Sequence, residues 1–334
     1  MRILVTGANG WIGRAVCADL AGRGHEVVAA VRAPDRAVPK VSARNTEPPI
    51  ACARSVAVGA IGSNTDWRQA LEGVQAVVHT AARVHVSAGS GAESFAVNAE
   101  GTRALALAAA AAGVRRFVFL STVKVLGETT ENRAPFSELD PPNPDPNDAY
   151  ARSKAQAESE LANVAAARNL AIVILRLPLV YGPGARANFA ALVRLVRIAP
   201  PLPLASVANR RSLLFLGNLV DAIALALDHP QAASETFLVR DGQDVSTPEL
   251  IRKIAGHLGR PARLFPFPPR LLRLAAKLIG QGARASRLLD SLALNDRKIR
   301  DRLGWRPPYS LDRGLALALG SSKPSHPQQR TSSA

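Results

Sequence analysis

Short apolar runs alternate with longer amphipathic stretches through the first half of the chain. Arg2 to Thr6, Glu26 to Val31, Ser55 to Val58, Ala76 to His79, Phe117 to Ser121 and Ile172 to Arg176 are apolar or β-branched and have the length of buried strands. Between most of them apolar residues recur at helical spacing, over Ile12 to Arg23, Glu93 to Ala112 and Asp148 to Arg168. This order predicts an α/β fold, a Rossmann-type doubly wound parallel sheet. The stretch from Ala33 to Arg54 carries four prolines and little periodicity, and reads as a long surface connection. After Tyr181 the alternation breaks into shorter elements separated by Pro200, Pro201 and Pro203 and by Pro266, Pro268 and Pro269. A helix start stands out at Ser246, with Glu249 at capping-box spacing and Pro248 in the first turn. The expected division is a first domain over residues 1–180, a smaller C-terminal α/β lobe over 181–320 whose strands can return to the first domain, and a polar, disordered tail over 321–334.

Composition narrows the function classes. A 334-residue chain with 47% hydrophobic residues can bury a sizeable core. It holds no run of 18 apolar residues, the alanine-rich Ala104 to Val114 being too short to span a bilayer, so membrane insertion is not expected. The chain opens directly on the strand-like MRILVTG, without the preamble of a signal peptide, which favours a cytoplasmic location. Cys17 and Cys52 have neither a CxxC partner nor a nearby histidine cluster, so neither a disulfide nor a metal site is expected. The net charge of +16 raises the question of a nucleic-acid partner. The arginines are scattered, however, and only 4% of residues are aromatic, too few for a base-stacking platform. A solvated basic surface is the simpler reading, with part of the excess available to an anionic small substrate.

Chemistry concentrates at three places. In TGANGWIG, Gly7, Gly10 and Gly13 fall between the first strand and the first helix, where glycines permit a tight turn and close backbone approach to a pyrophosphate at a helix N-terminus. Three glycines can equally make a tight βα turn with no ligand. At the end of the second strand, where NAD sites place an acid for the ribose 2′-hydroxyl, the chain has Val31 and Arg32. Arg32 can meet a 2′-phosphate, which leans the cofactor toward NADP over NAD. Ser121 and Thr122 end the fifth strand at the carboxyl edge of the sheet, where doubly wound folds bind ligands, and Tyr150 and Lys154 follow four apart on one helix face. As a surface pair they would contribute only a few tenths of a kcal/mol (~0.3). As a catalytic pair, the ammonium favours the phenolate of a tyrosine that otherwise titrates near ~10, allowing proton exchange near neutral pH.

TGANGWIG, HTAA, VNAEGT, STVKVLG and YARSK occur in that order, followed by LRLPLVYGPG and a closing DRKIRDRLGWRPPYSLDRGL. Through them the chain resembles the extended short-chain dehydrogenase/reductase family over nearly its whole length to about residue 318. The resemblance implies an NAD(P) cofactor held at Gly7, Gly10, Trp11, Ile12 and Gly13, at Arg32, at Ala81 of HTAA, and by Tyr150 and Lys154. It implies that Thr122 hydrogen-bonds the substrate oxygen, that Tyr150 exchanges its proton, that Lys154 holds the nicotinamide ribose, and that Asn98 braces the site. It further implies a homodimer formed through the helices of VNAEGTRALALAAAAAG and AYARSKAQAESELANVAAA.

Two departures from the family pattern matter. Ala60 stands where an acid commonly contacts the adenine amine. Val123 and Lys124 stand where dehydratases of the family carry acids, which disfavours water elimination. In the second half, Asn188 and Arg211 match positions that contact the diphospho-sugar and the nucleotide diphosphate, and an arginine fork suits phosphate oxygens. The segments LSTVKVLGE, LVYGPGARANF and NRRSLLFLGNLVDAI look most like C4-ketoreductases acting on UDP-4-keto-6-deoxy-N-acetylhexosamines for surface polysaccharides. A UDP-hexose 4-epimerase, a small-ketone or steroid-type reductase and a non-catalytic dinucleotide-sensing regulator remain as alternatives.

Overall fold

The computed structural model describes residues 1–33, 50–84 and 91–321. Among the described residues ten strands run in chain order as β1 (Arg2–Thr6), β2 (Glu26–Val31), β3 (Arg54–Ala57), β4 (Ala76–His79), β5 (Arg116–Thr122), β6 (Ala171–Leu177), β7 (Leu179–Tyr181), β8 (Arg211–Phe215), β9 (Thr236–Leu238) and β10 (Asp244–Val245). The same described residues form the α-helices α1 (Trp11–Gly22), α2 (Arg68–Leu71), α3 (Gly91–Phe95), α4 (Gly101–Ala111), α5 (Ala149–Ala167), α6 (Ala187–Ile198), α7 (Leu216–Asp228), α8 (Thr247–Leu258), α9 (Pro269–Leu278), α10 (Gly282–Leu289), α11 (Arg297–Leu303) and α12 (Leu311–Leu319).

Seven strands form one parallel sheet in the order β3-β2-β1-β4-β5-β6-β9. The direction of winding reverses between β1 and β4, which opens a crevice at their carboxyl ends. Alternation along the strands assigns the two faces. Ile3 and Val5 of β1 pack with Val16 and Leu20 of α1 and Leu219 and Ile223 of α7, whereas Leu4 points to the layer of Leu105 on α4 and Leu161 on α5. Strands one to six lie within about a residue of the apolar runs in the sequence. Of the connection expected over Ala33 to Arg54, residues 34–49 lie outside the described residues, as do 322–334 of the expected tail.

Two features, a π-type turn and a second sheet, were not visible in the pattern. The helix expected over Glu93 to Ala112 is interrupted by a wider π-type turn at Ala96–Glu100, which divides it into α3 and α4. β9 leaves the second half of the chain and completes the first sheet beside β6. β7, β8 and β10 make a second, three-stranded sheet, over which Phe189, Val193, Ile251, Ile254 and Leu315 close a separate core. The helix start at Ser246 forms as its spacing predicts, with a reciprocal capping box to Glu249 at the head of α8.

A buried ion pair ties α5 to the sheet. The Arg176 guanidinium of β6 donates to both oxygens of Glu158, at 2.6 Å from Nη2 and 3.1 Å from Nε, and the Ser121 hydroxyl of β5 donates to the same carboxylate at 2.5 Å. Only 8% of either charged side chain is exposed. Removing one partner leaves a charge in a low-dielectric interior, so Glu158→Leu is expected to cost about 3 to 5 kcal/mol in urea denaturation, and Arg176→Leu in the same chain to recover most of it. A single-variant loss below about 1 kcal/mol would mean that water reaches and screens the pair.

Candidate active site

The glycine turn is sterically required by its own packing. Gly7 adopts φ +65°, and a Cβ there would lie 2.9 Å from the backbone of Ala81; one on Gly13 would lie 2.1 Å from the Gly7 carbonyl oxygen. Gly10 caps α1 without a side chain, so the first amides of the helix stay available to an anion. A backbone cradle at a helix N-terminus, bordered by Ala81 at the end of β4, fits a dinucleotide pyrophosphate. Ile12 packs half-buried against the core under the turn. Trp11 donates its indole N–H to the Pro183 carbonyl oxygen at 2.7 Å and so joins the turn to the YGPG loop after β7. Arg32 follows β2 with its side chain exposed.

Thr122 is the last residue of β5, and its hydroxyl lies near enough to the Tyr150 phenol to act on its titration. Asp148 caps α5 by accepting from the Ala151 amide at 3.0 Å, which sets Tyr150 in the first turn facing the strand end. Lys154, one turn on, is wholly buried with its ammonium 3.7 Å from the centre of the Phe119 ring. Asn98 sits in the π-type turn. Its side-chain oxygen accepts from the Arg83 amide at 2.8 Å, and its nitrogen donates to the Arg83 carbonyl at 3.1 Å and to the Ser153 hydroxyl at 3.0 Å. Ser153 in turn donates to the Tyr150 carbonyl at 2.8 Å. Asn98 therefore fastens the segment after β4 to the first turn of α5.

Burial, then the Asp148 carboxylate, push the Tyr150 phenol up to about 12, opposed by the nearby Thr122 hydroxyl. The Lys154 ammonium turns toward Phe119, and burial lowers it to about 7 against the attraction of Glu158. The cation that acts near the start of α5 is Lys124, whose Nζ lies 2.6 Å from Asp148 and 2.9 Å from Glu128.

Sequence reasoning missed several supporting groups. His79 is buried between Thr6 and Thr102, 2.6 Å from the hydroxyl of the first and 2.9 Å from that of the second. Because Thr102 donates to the Asn98 carbonyl oxygen at 2.7 Å, it accepts from His79 Nε2, and Nδ1 accepts from Thr6. The ring is therefore neutral, in keeping with a pKa lowered to about 3 by burial and by Lys154. The available signal was the polar residue inside the otherwise apolar run AVVH. Glu158 carried a signal too, one helical turn beyond Lys154.

The remaining site residues lie in the second lobe. Arg211 opens β8, half-buried, with one guanidinium nitrogen 3.0 Å from the Asp290 carbonyl oxygen and with Glu128 within electrostatic reach. Burial lowers its pKa from the usual arginine value. Asn188 is exposed in the first turn of α6. Ala60 offers only its carbonyl, which accepts from the Thr65 hydroxyl at 3.1 Å. Among the described residues no helix is long and apolar enough to cross a membrane, and no group of three metal-ligating side chains converges.

Comparison with known proteins agrees with this geometry. The family model described as the NAD dependent epimerase/dehydratase family matches residues 3–239. A UDP-glucose 4-epimerase of Vibrio cholerae is 40% identical over 319 residues, covering 94% of this chain and 93% of its own. Among solved structures, a short-chain dehydrogenase/reductase superfamily protein of Agrobacterium tumefaciens with bound NAD superimposes with a TM-score of 0.73 at 27% identity, covering 96% of both chains. The UDP-glucose 4-epimerase of Thermus thermophilus, in complex with NAD, does so with a TM-score of 0.70 at 27% identity, covering 96% of this chain and 98% of its own. The glycine turn, the Thr122, Tyr150 and Lys154 set and the matches across the sheet establish that the chain belongs to the NAD-dependent epimerase/dehydratase family, within the extended short-chain dehydrogenases/reductases.

Proposed function

We propose that the protein is a nucleotide-sugar oxidoreductase acting at C4 of a UDP-linked hexose, and that it reduces a UDP-4-keto-6-deoxy-N-acetylhexosamine. The observation that carries the reading is the Thr122–Tyr150 hydroxyl pair at the carboxyl edge of β5, with a buried ammonium one helical turn behind it. Two neighbouring hydroxyls can both turn to a carbonyl oxygen placed between them. The reduced dinucleotide NAD(P)H, when bound, would supply the hydride for C4 and leave as NAD(P)+. Tyr150 gives its phenolic proton to the oxygen as that hydride arrives, and the phenolate is reprotonated from solvent, so a ketone becomes an alcohol with charge and atoms balanced.

The glycine turn and the N-terminus of α1 would hold the cofactor pyrophosphate, Lys154 the nicotinamide ribose, and Arg32 the phosphate that distinguishes NADP. Arg211, with a single backbone partner among the described residues, keeps guanidinium donors for a substrate diphosphate. Val123 and Lys124 follow Thr122, so the acid needed for water elimination is missing there. A 4-epimerase is the second reading, favoured by the Vibrio cholerae relative, a UDP-glucose 4-epimerase 40% identical to this chain. It would use the same residues but return the hydride to the opposite face.

One cuvette separates the two. With a UDP-4-keto-6-deoxy-N-acetylhexosamine, the protein is expected to oxidise added NAD(P)H in proportion to the 4-hydroxy sugar formed, and Tyr150→Phe to lose about 100-fold or more of the rate while still binding dinucleotide. Interconversion of UDP-glucose and UDP-galactose with no net cofactor consumption would promote the epimerase.

The cofactor lean has its own test. Arg32→Glu replaces a phosphate partner with a repelling carboxylate, so the Kd for NADPH should rise at least about tenfold more than that for NADH. Equal losses would remove the NADP lean.

Asp148 makes the pH dependence specific. Its negative charge disfavours the phenolate, so Asp148→Asn, which keeps the helix cap, should lower the Tyr150 pKa and move the acid limb of the oxidation-direction pH profile to lower pH. Lys124→Met leaves Asp148 without its cation and should move that limb the other way. An acid limb that both variants leave in place would show that Tyr150 is not the group titrating there.

A further inference from the structure

The segment after α8 is built unlike the rest of the surface. Six of the twelve large apolar side chains exposed among the described residues fall within residues 265–279: Phe265, Phe267, Leu271, Leu274, Leu278 and Ile279. Helix α9 has no buried residue at all, and Leu278 and Ile279 are 79% and 72% exposed. Leu271, Leu274 and Leu278 recur at i, i+3 and i+7 and so share one face. Arg270 and Lys277, seven apart, line one border of that face, and both are exposed. Residues 260–289 contain seven arginines and lysines and no aspartate or glutamate. Leu272 alone of the α9 leucines packs on the second core, which fixes the helix with its apolar stripe outward.

We infer that this face is a docking surface for an anionic lipid bilayer, on which α9 lies in the interfacial plane. An exposed leucine stripe bordered by cations, on a helix too short to span, is the pattern of an interfacial helix, where apolar burial and attraction to acidic headgroups add. A second copy of the chain is a poorer occupant, because pairing two such faces brings their basic borders together. The segments 34–49, 85–90 and 322–334, outside the described residues, contain no Leu, Ile, Met, Phe, Tyr or Trp.

The surface adjoins the second lobe's candidate substrate residue. Arg273 of α9 donates to the Asp290 carboxylate at 2.8 Å, and Arg211 donates to the carbonyl oxygen of the same residue at 3.0 Å. Docking through α9 therefore holds the Arg211 side of the lobe close to the bilayer. The inference does not depend on which sugar reaction the protein performs.

The test is co-sedimentation of the full chain with vesicles. Association is expected with phosphatidylglycerol–phosphatidylcholine vesicles, not with phosphatidylcholine alone, and is expected to be released by high salt. Arg270→Gln and Lys277→Gln should each weaken it about fivefold. Leu274→Glu with Leu278→Glu should weaken it at least about tenfold, while the exposed positions leave the thermal melt unchanged. No association, equal association with neutral vesicles, or insensitivity to the leucine changes overturns the proposal. So does light scattering in which the leucine variant dissolves a dimer while wild type ignores vesicles, which would assign the face to a second copy of the chain.

Discussion

A line of buried hydrogen bonds holds the two halves of the site in one frame. It runs from the Thr6 hydroxyl of β1 through the neutral ring of His79 on β4 to Thr102 on α4, the Asn98 carbonyl, the Asn98 side chain, Ser153 and the Tyr150 carbonyl on α5. Each member both gives and receives where its chemistry allows, and that is the condition under which buried polar groups stiffen a core instead of weakening it. The line is possible only because β1 and β4 are neighbours across the switch point of the sheet. The same adjacency places the glycine turn against Ala81. The turn proposed for the cofactor and the helix carrying Tyr150 are thereby fixed to common atoms, and movement of one is felt by the other.

Charge is arranged around that frame in partnered steps. From the cap of α5 outward, Asp148 meets Lys124, Lys124 meets Glu128, and Glu128 lies within reach of Arg211. Behind α5, Glu158 neutralises Arg176 and attracts Lys154. Lys154 itself is not neutralised by direct contact. Its pKa of about 7 against an ordinary 10.5 means that the unfolded chain binds the proton more tightly, so its burial opposes folding fully below pH 7 and progressively less as pH rises toward 10.5. A buried ammonium retained at a stability cost, beside the crevice of the sheet, is the kind of strain that functional sites keep.

How much of this the sequence could reveal depended on the range of the interaction. Strand alternation and the glycine spacing are local, and both were readable: β1, the turn at Gly7 to Gly13 and α1 follow from neighbouring residues. Tyr150 and Lys154 were readable as a pair because a helix puts i and i+4 on one face. That rule does not say which way the ammonium turns, and the buried Phe119 ring, 35 residues earlier in the chain, decides it. The π-type turn at Asn98 leaves no mark in hydrophobic periodicity, since one extra residue in a single turn shifts the pattern less than the scatter of an alanine-rich helix. His79 finds its partners 73 and 23 residues away, and β9 finds β6 across some sixty residues of intervening chain. Pairings of that range are written in the fold, not in any window of sequence.

The second lobe shows the same logic from outside. Its core is closed around Tyr181, whose phenol donates to Asp241 at 2.8 Å, and Asp241 also accepts from the Phe215 amide and from Asn218 at 2.7 Å each. Three donors satisfy a carboxylate that burial still raises to about 6. That knot anchors β7, β8 and the start of α7, so the position of Arg211 at the head of β8 is inherited from a rigid base. Its other restraint is the carbonyl of Asp290, whose carboxylate is already taken by Arg273. Arg211 is thus held between a fixed strand and a surface helix with an exposed apolar face. Between that helix and Arg211 the contacts run through two groups, the Arg273 guanidinium and Asp290.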